Sequence, residues 1–208
     1  PDVPPPSRET LDASIRKAAD FLLKEQNRDG SWGNHTRTKG LNVLCPYPEG
    51  PRSFRTASTS LCVIGLLTSP LKEDPAVKAS LDKALQYLLT TLPTLKRGDT
   101  RTVLGVWGHA YGLSALSRAA RNLPADAPLR EELKKVASLQ VKALDQMADV
   151  QGGWGYYTFE TFSKRPIGEP TSFLTATVLL AYKDAEQAFG LKAEPRIVKR
   201  AVACLEKL

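Results

Sequence analysis

Lys17-Ala18-Ala19-Asp20-Phe21-Leu22-Leu23-Lys24-Glu25-Gln26-Asn27-Arg28-Asp29-Gly30-Ser31-Trp32-Gly33 is the stretch from which the fold can be read. Its first half carries apolar residues at helical intervals, and its second half is built to stop a helix. Asp29-Gly30 supplies a turn in which glycine tolerates positive φ. Trp32 follows, a residue that buries its ring only where the indole N–H finds an acceptor.

Working outward, the helix announced by this stretch begins earlier, with the stripe Leu11, Ile15, Ala18, Ala19, Leu22 and then Gln26. These intervals mark one face of an α-helix. The same intervals return at Val77, Leu81, Ala84, Leu85, Leu88, Leu92, again at Leu133, Ala137, Gln140, Val141, Leu144, Ala148, and finally at Ile197, Ala201, Cys204, Leu205, Leu208. Between them lie helices that are apolar and small nearly all round, at about 56–69, 103–122 and 171–189, as expected of more fully buried elements. Prolines 70, 75, 93, 124, 128, 170 and 195 punctuate the junctions.

The pattern predicts an all-α fold of about seven helices, arranged as antiparallel outer–inner pairs that stack because no pair buries its apolar face alone. Residues 1–8 read as a Pro-rich linker. Residues 9–208 read as one domain, with repeats at about 9–70, 75–123, 129–190 and a partial one at 195–208. A start without Met fits trimming after an export signal or a boundary within a longer chain.

The quoted stretch resembles the Gln-Trp repeat of squalene and oxidosqualene cyclases, within the wider group of terpenoid cyclases and protein prenyltransferases. In that repeat a basic residue, a small residue and an aromatic-Leu pair precede Gln, a short spacer and Gly-x-Trp. A partial copy, Gln151-Gly152-Gly153-Trp154-Gly155, stands 122 residues on, with Ala148 in the place of Gln26. The second repeat carries Arg97-Gly98-Asp99 where the tryptophan would fall. The resemblance implies an α/α toroid-like array, open or incomplete because the family's ring takes about six pairs. It also implies that Gln26, Asp29, Gly30, Trp32, Gln151, Gly153 and Trp154 are structural staples rather than catalytic groups.

Aligning the inner helices on Val63-Ile64-Gly65-Leu66, Leu113-Ser114-Ala115-Leu116 and Leu179-Leu180-Ala181-Tyr182 puts Thr59, His109 and Thr175 at one level. In a toroid that level surrounds the mouth of a central cavity, which helix N-termini render electropositive. Thr56, Ser58, Trp107, Tyr111, Thr171 and Ser172 lie within a turn. Arg55 sits in the long segment 34–55, which is expected to cover the mouth together with 157–170. A ligand site is therefore expected at Thr59, Trp107, His109, Tyr111, Thr171, Ser172, Thr175 and Arg55, with His109 replaceable at little cost in stability.

Chemistry is harder to place. The acid motifs Asp-x-Asp-Asp and Asp-Asp-x-x-Asp of terpenoid enzymes are missing. Two histidines, His35 and His109, and three cysteines without CxxC spacing do not make a zinc site. No cofactor is expected. Cys62 and Cys204 read as small core residues, and Cys45 as a loop thiol. Glu49, Asp99, Glu160 and Glu169 lie in loops that feed the inner helices, where paired acids serve glycosidases and lyases.

The formal charge of +7 is spread over pairs such as Lys134/Lys135 and Lys199/Arg200, with no run of five. Nucleic acid is therefore not the expected partner. No apolar stretch approaches the ~18 residues of a membrane span. The expectation is a repeat-built binding or scaffold module for an apolar or isoprenoid ligand, leaning away from an enzyme. The alternative is a fragment of a cyclase or prenyltransferase-type enzyme. Its end helices should associate with another copy or with the remainder of a longer chain.

Overall fold

A computed structural model describes residues 5–34, 49–97, 103–160 and 163–207. His35, Cys45, Asp99 and Leu208, which figure in the sequence reading, lie outside them. Among the described residues the chain is all-α, with α1 (Arg8–Glu25), α2 (Glu49–Thr68), α3 (Pro75–Thr91), α4 (Gly105–Arg121), α5 (Pro128–Met147), α6 (Ser172–Phe189) and α7 (Pro195–Leu205). An isolated antiparallel bridge joins Gly155 to Pro170. No described helix is long and apolar enough to cross a membrane.

Helix starts follow local chemistry. The Ser7 hydroxyl accepts from the Thr10 N–H, and Asp74 caps α3 through the Ala76 N–H. Proline occupies the first turn of α3, α5 and α7, where its missing N–H costs nothing. One boundary departs from the sequence reading. The first inner helix begins at Glu49 rather than near residue 56, so Arg55 is helical. Pro51 falls in that first turn, and a proline taken as a loop signal is in fact helix-compatible there.

The even-numbered helices form a parallel row with α4 in the middle, packed on α2 and α6 and backed by α5. Their registers are fixed by polar contacts. Lys72 Nζ donates to Asn122 Oδ1 across 3.0 Å, a separation of 50 residues. The Arg118 guanidinium reaches Asp184 and that of Arg121 reaches Gln187, each 66 residues apart. The alignment of Thr59, His109 and Thr175 has these same offsets.

Burial is greatest along α4, whose thirteen buried residues run from Gly105 to Ala120. The outer helices differ from the expected uniform stripe. Helix α3 is wedged against its neighbours and buries Val77, Leu81, Ala84, Leu85 and Leu88. Helix α1 sits at the edge, touches α3, and has Ala19 as its one buried residue. Leu11 stays 51% exposed at the start of that helix. Cys62 and Cys204 are half-buried rather than interior, and burial pushes the Cys62 thiol up to about 11.

Candidate functional site

The two Gly-x-Trp turns are built alike. Trp32 Nε1 donates to the Leu22 carbonyl at 2.7 Å, and Trp154 Nε1 to the Leu144 carbonyl at 2.9 Å, each ten residues back. The backbone N–H of Trp32 donates to Thr59 Oγ1 at 3.0 Å, and that of Trp154 to Thr175 Oγ1 at 3.1 Å. Gly30 at φ 86° and Gly152 at φ 103° lie flat against the next outer helix. A Cβ on Gly30 would stand 2.3 Å from the Lys83 carbonyl oxygen, and one on Gly152 would stand 2.4 Å from that of Arg200. Only glycine fits either position.

The turns differ in one tie. Gln26 Nε2 donates to the Ser80 carbonyl at 2.9 Å and Gln26 Oε1 accepts from the Ser80 hydroxyl, fastening α1 to α3. The corresponding pair in the later turn is Ala148 and Ile197, both buried. An apolar contact pair thus replaces a hydrogen-bonded one. Gly153 faces Thr175, where a Cβ would come within 2.6 Å of Oγ1, and Gln151 is exposed with its N–H on Asp149 Oδ1.

These ties locate the expected site residues. Thr59 and Thr175 are fully buried and serve the tryptophan turns. His109, 3% exposed, points from α4 toward α5 and shares a 2.7 Å hydrogen bond between Nδ1 and Gln140 Oε1. Its Nε2 is buried without a hydrogen-bond partner. Burial holds the imidazole pKa below its ordinary value, and the Gln140 contact offsets this only in part. Arg55 binds Asp29 at 3.0 Å and lies over the Tyr87 ring at 5.7 Å. Burial works to raise the Asp29 carboxyl, but hydrogen bonds from Ser31 and the Arg55 charge outweigh it and leave the pKa lowered. Thr171 precedes α6 with its hydroxyl buried and unpartnered, and Ser172 is exposed.

Trp107 and Tyr111 belong to a different surface. They lie roughly 160° round α4 from His109 at 100° per residue, on the side away from α5, to which His109 points. Trp107 stacks on Tyr111 with ring centroids 5.4 Å apart and on Phe173 of α6 at 6.1 Å. Tyr156 closes the group at 6.2 Å from Trp107 and 6.1 Å from Phe173. Leu61 on α2, Phe173, and Leu180 on α6 are 47%, 53% and 63% exposed. The face is continuous across α2, α4 and α6, and its upper half is largely aromatic.

The expected residues therefore divide into a wall set, Thr59, His109, Thr175 and Arg55, an inner-face pair, Trp107 and Tyr111, and Thr171 and Ser172 at the start of α6. Phe173, Tyr156 and Leu180 were not singled out from the sequence. A signal for Phe173 existed, since the 66-residue shift that relates His109 to Thr175 also relates Trp107 to Phe173. Among the candidate acids, Glu49 pairs with Arg52 at 3.4 Å, while Glu160 and Glu169 are exposed. The described residues hold no group of three or more His, Cys, Asp or Glu disposed for a metal ion.

No protein-family model matches the chain. No solved structure gives a significant match.

Proposed function

We propose that this chain is a repeat-built binding module of the squalene-cyclase-like kind, whose inner helical face takes an apolar, isoprenoid-type ligand. The single observation that carries the reading is the ring cluster of exposed Phe173 with half-buried Trp107, Tyr111 and Tyr156. Aromatic rings that pack on one another yet stay partly open to solvent hold apolar area out of the core, and such patches mark interaction sites. Trp107 and Tyr111 sit on α4 and Phe173 on α6, while Tyr156 stands in the segment that follows the Trp154 turn, so most of the face is set by helices and little ordering is needed on binding.

In this reading the Gly-x-Trp turns hold the geometry and the inner face holds the ligand. The experiment is a titration of the protein with the neutral dye Nile red, followed by displacement with geranylgeraniol. Saturable dye binding, displaced by the isoprenoid alcohol and lost in Phe173→Asp, supports the module. Dye binding that geranylgeraniol leaves untouched in the wild type would remove the isoprenoid reading.

A further inference from the structure

We propose that the inner face is a head-and-tail site for a long-chain fatty-acid-like amphiphile, with its carboxylate at the Lys72–Arg118–Arg121 end; the proposal rests on the binding-module reading. Helix α4 presents Trp107, Tyr111, Ser114, Arg118 and Arg121 along one line, spaced i, i+4, i+7, i+11 and i+14. The neighbouring α6 presents Phe173, Thr177, Leu180, Asp184 and Gln187 in the same way, level for level at the 66-residue offset. The face is therefore graded, aromatic at the N-terminal ends of the helices and charged at the C-terminal ends.

The charged end is not balanced. Arg118 Nε and Arg121 Nη2 both lie 3.1 Å from the Asp184 carboxylate, sharing one negative charge between two guanidinium groups. Lys72 joins them through Asn122, whose side-chain amide in turn donates to the Arg118 carbonyl. Two guanidinium groups thus face the one Asp184 carboxylate, with Lys72, which also feels the charge of Glu73, beside them, and both arginine side chains remain more than a third exposed, at 37% and 38%. Guanidinium groups with donors to spare favour a carboxylate through charge-assisted hydrogen bonds.

Length selects the tail. From Trp107 to Arg121 the helix rises about 21 Å at 1.5 Å per residue, the span of an extended chain of about 16 carbons. A chain lying on Phe173, Trp107 and Tyr111 with its head at Arg121 would pass Leu61 and Leu180. Both are large aliphatic side chains left exposed, Leu61 level with Tyr111 and Leu180 between the rings and the arginines. The gradient thus accounts both for the open leucines and for an arginine pair with surplus charge.

The test compares hexadecanoate with hexadecanol, two probes alike in chain length and different in charge, each below its aggregation limit. Displacement of Nile red from the wild-type protein should show hexadecanoate binding at least about tenfold more tightly at low salt. That preference should shrink as salt screens the head-group contact. It should fall below about threefold in the Lys72→Gln/Arg121→Gln double variant, which leaves Arg118 on Asp184; a thermal melt checks its fold. Equal binding of the two probes to the wild type overturns the head-and-tail site and leaves the apolar-ligand reading standing. Failure of both probes, together with geranylgeraniol, removes both. Should the variant not fold, the wild-type comparison and its salt dependence decide alone.

Discussion

Trp32 donates its indole N–H to the Leu22 carbonyl across 2.7 Å, so that the chain reversal after α1 is locked onto the last turns of the helix it leaves. Trp154 and Leu144 repeat the relationship deeper in the molecule, with Trp154 fully buried and edge-on to Tyr182 at 5.8 Å. Replacing either tryptophan removes ring volume and orphans a carbonyl. Trp154→Ala is expected to cost about 3–5 kcal/mol, and Trp32→Ala less, because it supports the edge helix α1. Urea unfolding monitored by circular dichroism measures both, and an equal loss at the two sites would contradict the ranking.

Thr59 and Thr175 should act on stability through the hydrogen bond that each hydroxyl accepts from a tryptophan backbone N–H. Thr175→Val keeps the shape but withdraws the acceptor from the Trp154 N–H, and is expected to cost about 1–3 kcal/mol. Thr175→Ser should retain most of the native stability. If Thr175→Val unfolds at the wild-type urea midpoint, the hydroxyl is not the staple described.

Gln26 and Ser80 form a polar pair where Ala148 and Ile197 form an apolar one. Gln26→Ala alone leaves the Ser80 hydroxyl without its acceptor and should cost about 1–2 kcal/mol. Adding Ser80→Ile in the same protein should recover part of the loss. A double-mutant cycle reads the coupling, which should exceed about 0.5 kcal/mol; additive effects would mean that the two turns are not equivalent.

His109 gives a pH dependence with a definite sign. Its folded-state pKa is lowered by burial from 6.5, so the unfolded chain binds the proton more readily. Stability is then full above about pH 6.5 and is lost as pH falls below it, by at most about 1.4 kcal/mol per unit from this one group. The slope between pH 6.5 and 5.5 should flatten in His109→Gln. Burial and the Gln140 contact also mean that His109→Ala should be clearly destabilising, contrary to the expectation of little cost. A pH-independent urea midpoint through this window in the wild type would contradict the assignment.

Much of the architecture was legible because helical spacing and proline punctuation are local signals. The inner-helix alignment even carried the offsets of 50 and 66 residues later seen in the Lys72–Asn122 and Arg118–Asp184 contacts. Two things were not legible. The start of α2 was hidden because Pro51 and Gly50 mean loop in isolation and first helical turn in context. The site was read by height along the helices and not by direction around them. Thr59, His109 and Thr175 share a level with Trp107 and Tyr111, yet they face the wall while the rings face the open side. On a helix apolar nearly all round, periodicity does not say which face lacks a neighbour; that depends on how the pairs stack.

The central claim is that the open ring cluster binds an apolar chain, and Trp107 emission tests it most directly. Trp32 and Trp154 are 4% and 0% exposed, which leaves Trp107 as the tryptophan within a ligand's reach on this face. Titration with geranylgeraniol should shift and saturate the emission, and the response should vanish in Trp107→Phe while the melting temperature holds. Emission unchanged by excess geranylgeraniol, or an identical response in Trp107→Phe, would contradict the account.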